Sequence, residues 1–588
     1  MPYPWGPGLT AAVTEGAPAP PVPPYVPAGG PAVPGGPSVP AGPDALGVPV
    51  VASTRIAGPH RHDRPGRLVP ASGLLLVILA AQAALTWRLI RSDTASQAEA
   101  GYLWAGHLMW AHWLHGAPVP PFQAYLSGAP VIYPPIGALA DGAGGLAGAR
   151  LLSLAFMLAA TALLWGATSR LFGRRAAFFA AALFAAAGPV LQLGAFATGD
   201  AMGVCLIALA AWCAVRAAER EDATGWMIVA GIAVAVANAT AYWSALFDPV
   251  LLVVAFLIAC PTPGGKAALG RAATMLTVLA TLVTVGTLVG GGYYVTGIHH
   301  ALSMDVSNMN PALLVLRKSA AWLGPVAALA LAGVAVAVVR LRRLPRMWLL
   351  AVLAAAVFIV PAEQTGLRTA LSLNVHVTLG IWFAAVPAGY AVDAMIGAVS
   401  QGWARAVVAG AGATALAFPF ALGLGQSSAL AASWPSASSF VSIFGPLADH
   451  GHGHLLVEDP QIAEYYLSSG MEWRRWSTTR NIVLSSGRSI IVPNGSDQAA
   501  NAAGAAEFAR YVASDYFSLV ALDFADTTAL DHQIAADLRA NHHYHVIDVV
   551  PYGSGTYVVW QYQTLQSTQQ YEPRLGGPTA TKRHKAGR

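Results

Sequence analysis

The sequence predicts a polytopic α-helical membrane protein with a small extracytoplasmic α/β domain near its C-terminal end. Three observations carry that expectation. Hydrophobic residues make up 55% of the 588 positions and charged residues only 10%, against roughly 25% charge in soluble domains. Apolar runs of about 20 residues recur, each long enough to cross ~30 Å of hydrocarbon. Beyond Gln426 those runs stop, and strand-like and helix-like segments alternate instead.

Residues 1–67 are dense in Pro, Gly, Ala and Val and poor in aromatics. Such a segment cannot bury a core, so a disordered cytoplasmic arm is expected. No apolar run starts near Met1 to serve as a signal peptide. The membrane part is expected over residues 68–425, with about eleven spans. They start near Val69, Arg150, Ala176, Ala201, Trp226, Leu246, Ala273, Ser319, Trp348, Asn374 and Ala406. Between the fifth and sixth, Ala241-Tyr242-Trp243-Ser244 must hold a tight turn.

Orientation follows from the positive residues of the short loops. Arg61, Arg64 and Arg67 precede the first span, and Arg170, Arg174 and Arg175 follow the second. Arg216, Arg220, Lys266, Arg271, Arg340, Arg342, Arg343 and Arg346 fall on the same face if the chain alternates. Arg91, Arg317, Lys318 and Arg368 are left for the other. The N-terminus is therefore expected in the cytoplasm and the C-terminal domain outside the cytoplasmic membrane. The net charge of +5 is this topology signal, and no nucleic-acid patch stands out.

The first external loop, residues 91–148, is acid-bearing, aromatic and proline-rich. Tyr102, Trp104, Trp110, Trp113, Phe122 and Tyr125 are of the types that settle at a membrane–water interface. Asp93 and Glu99 put carboxylates on that ledge, suited to a substrate held at the membrane surface. Asp93 also reads as the N-cap of the following helix, and Glu99 as a solvated residue on it. His107, His112 and His115 share the helix at spacings that give no clean ligand face. Asp248, before Pro249, reads as a turn residue.

After a linker at residues 426–454, an α/β domain is expected over 455–563. Strands are read at 455–457, 489–492, 517–524, 544–551 and 556–561, and helices at 498–513 and 527–541. The linker's Asp449-His450-Gly451-His452-Gly453-His454 is Gly-rich and reads as linker rather than metal site. His542, His543 and His545 read as surface. Cys205, Cys213 and Cys260 all fall in expected spans, so no disulfide framework is offered. Residues 564–588 form a polar, basic tail expected to be disordered.

Four stretches in order carry a resemblance. Tyr133-Pro134-Pro135 closes the first loop, and Ala149-Arg150-Leu151-Leu152-Ser153 opens the second span. Ser169-Arg170-Leu171-Phe172-Gly173-Arg174-Arg175 ends that span, and Phe196-Ala197-Thr198-Gly199-Asp200-Ala201 ends the third. With this topology the chain resembles the GT-C membrane glycosyltransferases, in the branch of protein O-mannosyltransferases and lipid A aminoarabinose transferases. The resemblance implies transfer of a sugar from a polyprenyl-phosphate carrier in the membrane lipid. The acceptor, a protein, lipid or cell-wall glycan, would wait at the outer face. Its hydroxyl needs a carboxylate to take its proton, and Glu99, Asp200 and Asp93 are the candidates. The anionic leaving phosphate needs arginine, lysine or a divalent metal. Arg317, Lys318 and Arg368 are candidates, with His376 and Tyr133 as further donor contacts. No residue pattern fixes a metal or cofactor.

The sequence departs from the family at two points. Relatives carry adjacent acids in the first loop, where this chain has Gln97-Ala98-Glu99, with Ala98 at the position of the expected Asp. A basic step is also expected where Leu373-Asn374-Val375-His376 stands. Asp200 also admits a plainer reading as an acid at a helix N-terminus, although acids at membrane depth usually serve a site, and Arg317 and Lys318 admit one as interfacial anchors. Two other classes stay open: a catalytically degenerate lipid-carrier-binding or scaffold protein, and a transporter. A transporter would show mid-span polar residues and paired broken helices. Glu99, Asp200 and the Tyr133-Pro134-Pro135 segment are expected to converge on one external cavity.

Overall fold

A computed structural model describes most of residues 71–563, with breaks chiefly at 91–93, 300–309, 399–402, 468–472, 484–488 and 492–497. The arm at 1–67, Asp93, Tyr125 and the tail at 564–588 lie outside the described residues.

Each expected span start falls in or beside a helix. The first six helices place the site: α1 (Ala71–Ile90), α2 (Gln97–His115), α3 (Tyr133–Phe172), α4 (Arg174–Ala186), α5 (Gly188–Gly194) and α6 (Gly199–Ala218). Among the described residues eight helices are long and apolar enough to cross a membrane. A ninth is counted if α4 and α5, bent by 67° at the intervening break, form one span. The break falls at Ala187-Gly188-Pro189, where proline cannot continue the hydrogen-bond ladder. This is a multi-pass membrane protein.

The bundle centre is lined by small residues. Ala160, Ala180, Ala208, Ala210, Ala237 and Ala388 are among its buried members, and small residues let helix backbones approach closely in lipid. The expected first loop is more ordered than its composition suggests. Ser96 and Glu99 form a reciprocal capping box at the start of α2, and Gly116, left-handed at φ 66°, ends it. α3 begins at Tyr133 with two prolines in its first turn, so the proline run opens a helix rather than a loop. Its backbone breaks at Gly144 and Gly145, the latter at φ 62°. The residues up to that break lie on the ledge, and those beyond it, Arg150 included, form the second span. Gly106 of α2 is required by this packing, because a Cβ there would sit 2.0 Å from the Pro134 carbonyl oxygen.

The C-terminal domain has strands β1 (His454–Val457), β2 (Trp476–Ser477), β3 (Asn481–Val483), β4 (Ser489–Ile491), β5 (Phe517–Leu522), β6 (Tyr544–Tyr552) and β7 (Gly555–Tyr562). The main sheet runs β2-β1-β5-β7-β6, while β3 and β4 pair separately. β1 is parallel to β2 and β5, and β7 is antiparallel to β5 and β6. Leu455, Leu456 and Val457 are all buried, as a parallel strand covered on both faces requires. The Gln498–Ala513 and Thr528–Ala540 helices cover one face through Phe508, Val512, Ile534 and Leu538. Phe440, Phe444 and Ala463 pack on the other face.

Those last residues alter the expected linker. The Trp403–Ala432 helix runs past Gln426, and the Ser438–His450 helix occupies most of the remainder. Phe440 and Phe444 recur at helical spacing and bury against the sheet, which outweighs the Gly- and Ser-rich composition. The short Pro460–Leu467 helix then ties the domain to the ledge. Tyr465 Oη donates to Asp141 (2.6 Å), the Ala95 N–H donates to Tyr466 Oη (2.7 Å), and Gln97 Nε2 donates to Asp459 (2.6 Å).

Candidate active site at the α2 ledge

Glu99 is fully buried, with 0% of its surface exposed. Its Oε1 accepts from Arg150 Nε at 2.8 Å and from the Ala197 N–H at 2.9 Å. Its Oε2 accepts from Arg150 Nη2 at 2.8 Å and from the Ser96 N–H at 2.9 Å. Four donors thus hold one carboxylate, two of them from a bidentate guanidinium. Arg150, 1% exposed, also donates to the Ile90 and Thr94 carbonyls and lies 5.1 Å above the Trp434 ring. One ion pair therefore joins the end of α1, the start of α2, the second span and the turn before α6. Glu99, expected as a proton acceptor or a solvated residue, is enclosed by these donors rather than solvated.

Asp200 stands differently. It occupies the first turn of α6 and is half-buried. Its Oδ2 accepts from Thr198 Oγ1 at 2.7 Å and its Oδ1 from Trp243 Nε1 at 2.8 Å. A carboxylate has about four lone-pair positions, so two remain. The Trp243 ring stacks on His376 at 4.5 Å and 22°, and His376 Nδ1 lies 3.2 Å from Gln364 Nε2. The tight turn expected at 241–244 is a 3₁₀ turn, Tyr242–Phe247, that carries Trp243 to this place.

Tyr102 of α2 lies on the same side. Its ring meets Tyr133 edge-on at 6.0 Å. Burial, with the charge of Asp200 adding to it, pushes its phenol far above the usual range. Tyr133 is fully buried, and a Cβ at Gly199 would be 3.3 Å from its Cβ. So α2, the start of α3 and the N-terminus of α6 meet, and Tyr133 sits where they do. Ala98 is exposed, one helical turn before Tyr102.

Asp248 does not act only as a turn residue, because its Oδ2 accepts from Asn238 Nδ2 at 2.8 Å. His107 Nε2 meets Asp141 Oδ2 at 2.7 Å, on the carboxylate that Tyr465 also holds. Arg317 and Lys318 lie exposed near the start of the Ala312–Arg340 helix. Arg368 is exposed and left-handed, at φ 53°, just past the helix that carries Gln364. None of these three forms an ion pair among the described residues. No group of three His, Cys, Asp or Glu side chains there is placed to hold a metal. Sequence reasoning missed the roles of Arg150, Trp243, Gln364 and Tyr102. Arg150 carried a signal, since an arginine opening a span behind an acidic loop needs a partner. The other three look like ordinary span and interface residues.

A family model described as dolichyl-phosphate-mannose-protein mannosyltransferase matches residues 138–289. No curated protein sequence matches the chain. Among solved structures, ArnT from Cupriavidus metallidurans bound to undecaprenyl phosphate is similar, with a TM-score of 0.54 at 14% identity over 83% of this chain and 98% of that one. The apo oligosaccharyltransferase of Archaeoglobus fulgidus aligns with a TM-score of 0.53 at 13% identity, over 83% of this chain and 74% of that one. The archaeal enzyme AglB, with an inhibitory peptide and a dolichol-phosphate, gives 0.51 at 13% identity over 82% and 74%. The chain shares the fold of these proteins.

Proposed function

We propose that the chain is a membrane glycosyltransferase using a polyprenyl-phosphate-linked sugar, with Asp200 as the proton acceptor. The observation that carries this is the contrast between two carboxylates at one ledge. Glu99 is buried under four donors, whereas Asp200 is half-open with lone pairs to spare. Undecaprenyl phosphate bound to ArnT supports a lipid-phosphate carrier, and the arginine asymmetry supports an outer-face site.

In the proposed step the acceptor hydroxyl gives its proton to Asp200 and its oxygen attacks the anomeric carbon. The bond from that carbon to the phosphate oxygen breaks, and the phosphate leaves with the electron pair. Thr198 and Trp243 hold the carboxylate in one orientation, and His376 backs Trp243. Arg317, Lys318 and Arg368 are the cations available to the leaving phosphate. Asp93 keeps a place among the candidate acids.

Sugar transfer from a polyprenyl-phosphate donor in proteoliposomes tests the reading. Asp200→Asn should lower the rate roughly 10²–10⁴-fold with the thermal melt unchanged. Equal rates for the two proteins would remove Asp200 from the mechanism. The enclosure of Glu99 and the absence of an acid at Ala98 favour one other reading, a lipid-carrier-binding protein without turnover. Saturable carrier binding with no transfer by the wild type would select it.

A further inference from the structure

The span α6 starts at the ledge with Asp200 in its first turn and ends at Ala218, so its far end lies across the bilayer from the site. There a cavity of about 830 Å³ opens between the turn after α6 and two later helices, Thr224–Thr240 and Gly265–Gly290. Glu219, Arg220, Glu221, Thr224, Gly270 and Arg271 are among its lining. Glu219 Oε2 already accepts from Arg170 Nε at 3.3 Å and from Arg216 Nη1 at 3.1 Å. Arg271 donates from Nη1 to the Ala217 carbonyl at 2.9 Å and from Nη2 to the Arg220 carbonyl at 3.1 Å. A guanidinium has five N–H groups, so three remain on a cation fastened to the end of α6. Arg220 and Glu221 are exposed, and neither side chain forms a hydrogen bond or ion pair among the described residues. The groups left for a ligand are two guanidinium ions, the Thr224 hydroxyl and one carboxylate.

The cavity continues along the lipid-facing side of the bundle. Ala267, Gly270 and Thr274 line it from one helix, and a Cβ at Gly270 would meet only open space. At helical spacing the same face goes on through Thr277 and Thr281, both exposed. On the facing helix Thr224, Ile228 and Ile232 share a face, and all three are exposed. The two helices meet where Gly231 approaches the Met275 carbonyl. A charged cavity thus leads into a track with small residues on one wall and isoleucines on the other. Charge above an apolar track matches a phospholipid, and the charges select its head. Two guanidinium groups and a hydroxyl suit a phosphate. Glu221 beside them repels a purely anionic head and accepts from a cation that carries N–H groups. A primary ammonium has three, and a quaternary choline has none.

We propose that this cavity binds the phosphoethanolamine head of a phospholipid, with Arg220 and Arg271 on the phosphate and Glu221 on the ammonium. The inference stands apart from the transfer reaction, so either can fail alone. The test is native mass spectrometry of the full chain, titrated with phosphatidylethanolamine, phosphatidylcholine and phosphatidylglycerol of the same acyl chains. Phosphatidylethanolamine should bind roughly tenfold tighter than the other two, the worth of one charge-assisted hydrogen bond. Glu221→Gln should abolish that preference, and Arg220→Ala should weaken binding of all three lipids. Gly270→Leu fills the open space and should block the site with the melt not lowered. Displacement by soluble O-phosphoethanolamine would assign the site to the headgroup alone, and failure to displace would assign it to the intact lipid. Equal binding of the three lipids, or an undiminished preference in folded Glu221→Gln or Gly270→Leu, would each overturn the proposal.

Discussion

Glu99→Gln isolates the ion pair at the centre of the ledge. The substitution keeps the shape of the side chain and removes its charge, taking away the carboxylate that pairs with the buried Arg150 guanidinium. Breaking a buried pair from one side costs roughly 3–5 kcal/mol, because the surviving charge stays desolvated. Arg150→Met should cost a similar amount by stranding the carboxylate. The double variant, with both charges gone, should recover most of the loss, since apolar replacement of a buried pair is often neutral. The assay is the thermal melt of detergent-purified protein for all four members of the cycle, read beside sugar transfer. A fastening role predicts that melt and transfer fall together in Glu99→Gln and in Arg150→Met. A Glu99→Gln protein that melts like the wild type but transfers no sugar would refute this reasoning and restore Glu99 as the base.

Further expectations concern the C-terminal domain and the ledge. Burial pushes the Glu464 carboxyl from 4.5 up to about 8, so the folded state holds that proton more tightly than the unfolded one. Its contribution is full below about pH 4.5 and is lost as pH rises towards 8, by at most about 5 kcal/mol at 1.36 kcal/mol per pH unit. Glu464→Gln should therefore melt like the wild type at pH 5 and above it at pH 8.5; a constant gap between the two melts across that range would rule the effect out. Gly106→Ala drives a methyl into the Pro134 carbonyl and should cost roughly 1–3 kcal/mol, read as a lower melt. Ala98→Asp puts an acid on the exposed face one turn from Tyr102. It should raise transfer without changing the melt, and a rate unchanged from wild type would count against that face lining the reaction.

The membrane part was legible because lipid imposes one strong constraint. A run of about 20 apolar residues can satisfy its backbone only as a helix, so Ala71–Ile90 and Gly199–Ala218 stood where the runs stood. The breaks were less visible. Gly144-Gly145 and Ala187-Gly188-Pro189 look like interruptions any span tolerates, and only packing shows that they turn the chain. In the C-terminal domain β5 and the Gln498–Ala513 helix followed from their periodicity, whereas the two-residue β2 and the Ser438–His450 helix did not. The site was the hardest part. Asp200 could be picked out as an acid at a span end, but Glu99 and Arg150 lie 51 positions apart. Nothing local to either says that they meet, and an isolated carboxylate on an aromatic ledge reads as chemistry.

One helical residue separates the two fates of that ledge. Successive residues of α2 differ by about 100° around the helix axis, so Ala98 and Glu99 cannot share a face. Glu99 points into the seam with Arg150 and the turn before α6, where its carboxylate also takes the Ala197 N–H. Ala98 is exposed, on the face that carries Tyr102. An acid at 99 therefore faces the seam, whereas an acid at 98 would face the exposed side that carries Tyr102. Loss of the second leaves the fold intact, since Ala98 carries no contact that the packing requires. What the first still does is indirect: by holding Ala197 it fixes the turn through Thr198, whose hydroxyl orients Asp200. The buried pair and the open carboxylate are thus linked through two consecutive residues, Ala197 and Thr198. A change at Glu99 is therefore expected to reach Asp200 through that turn.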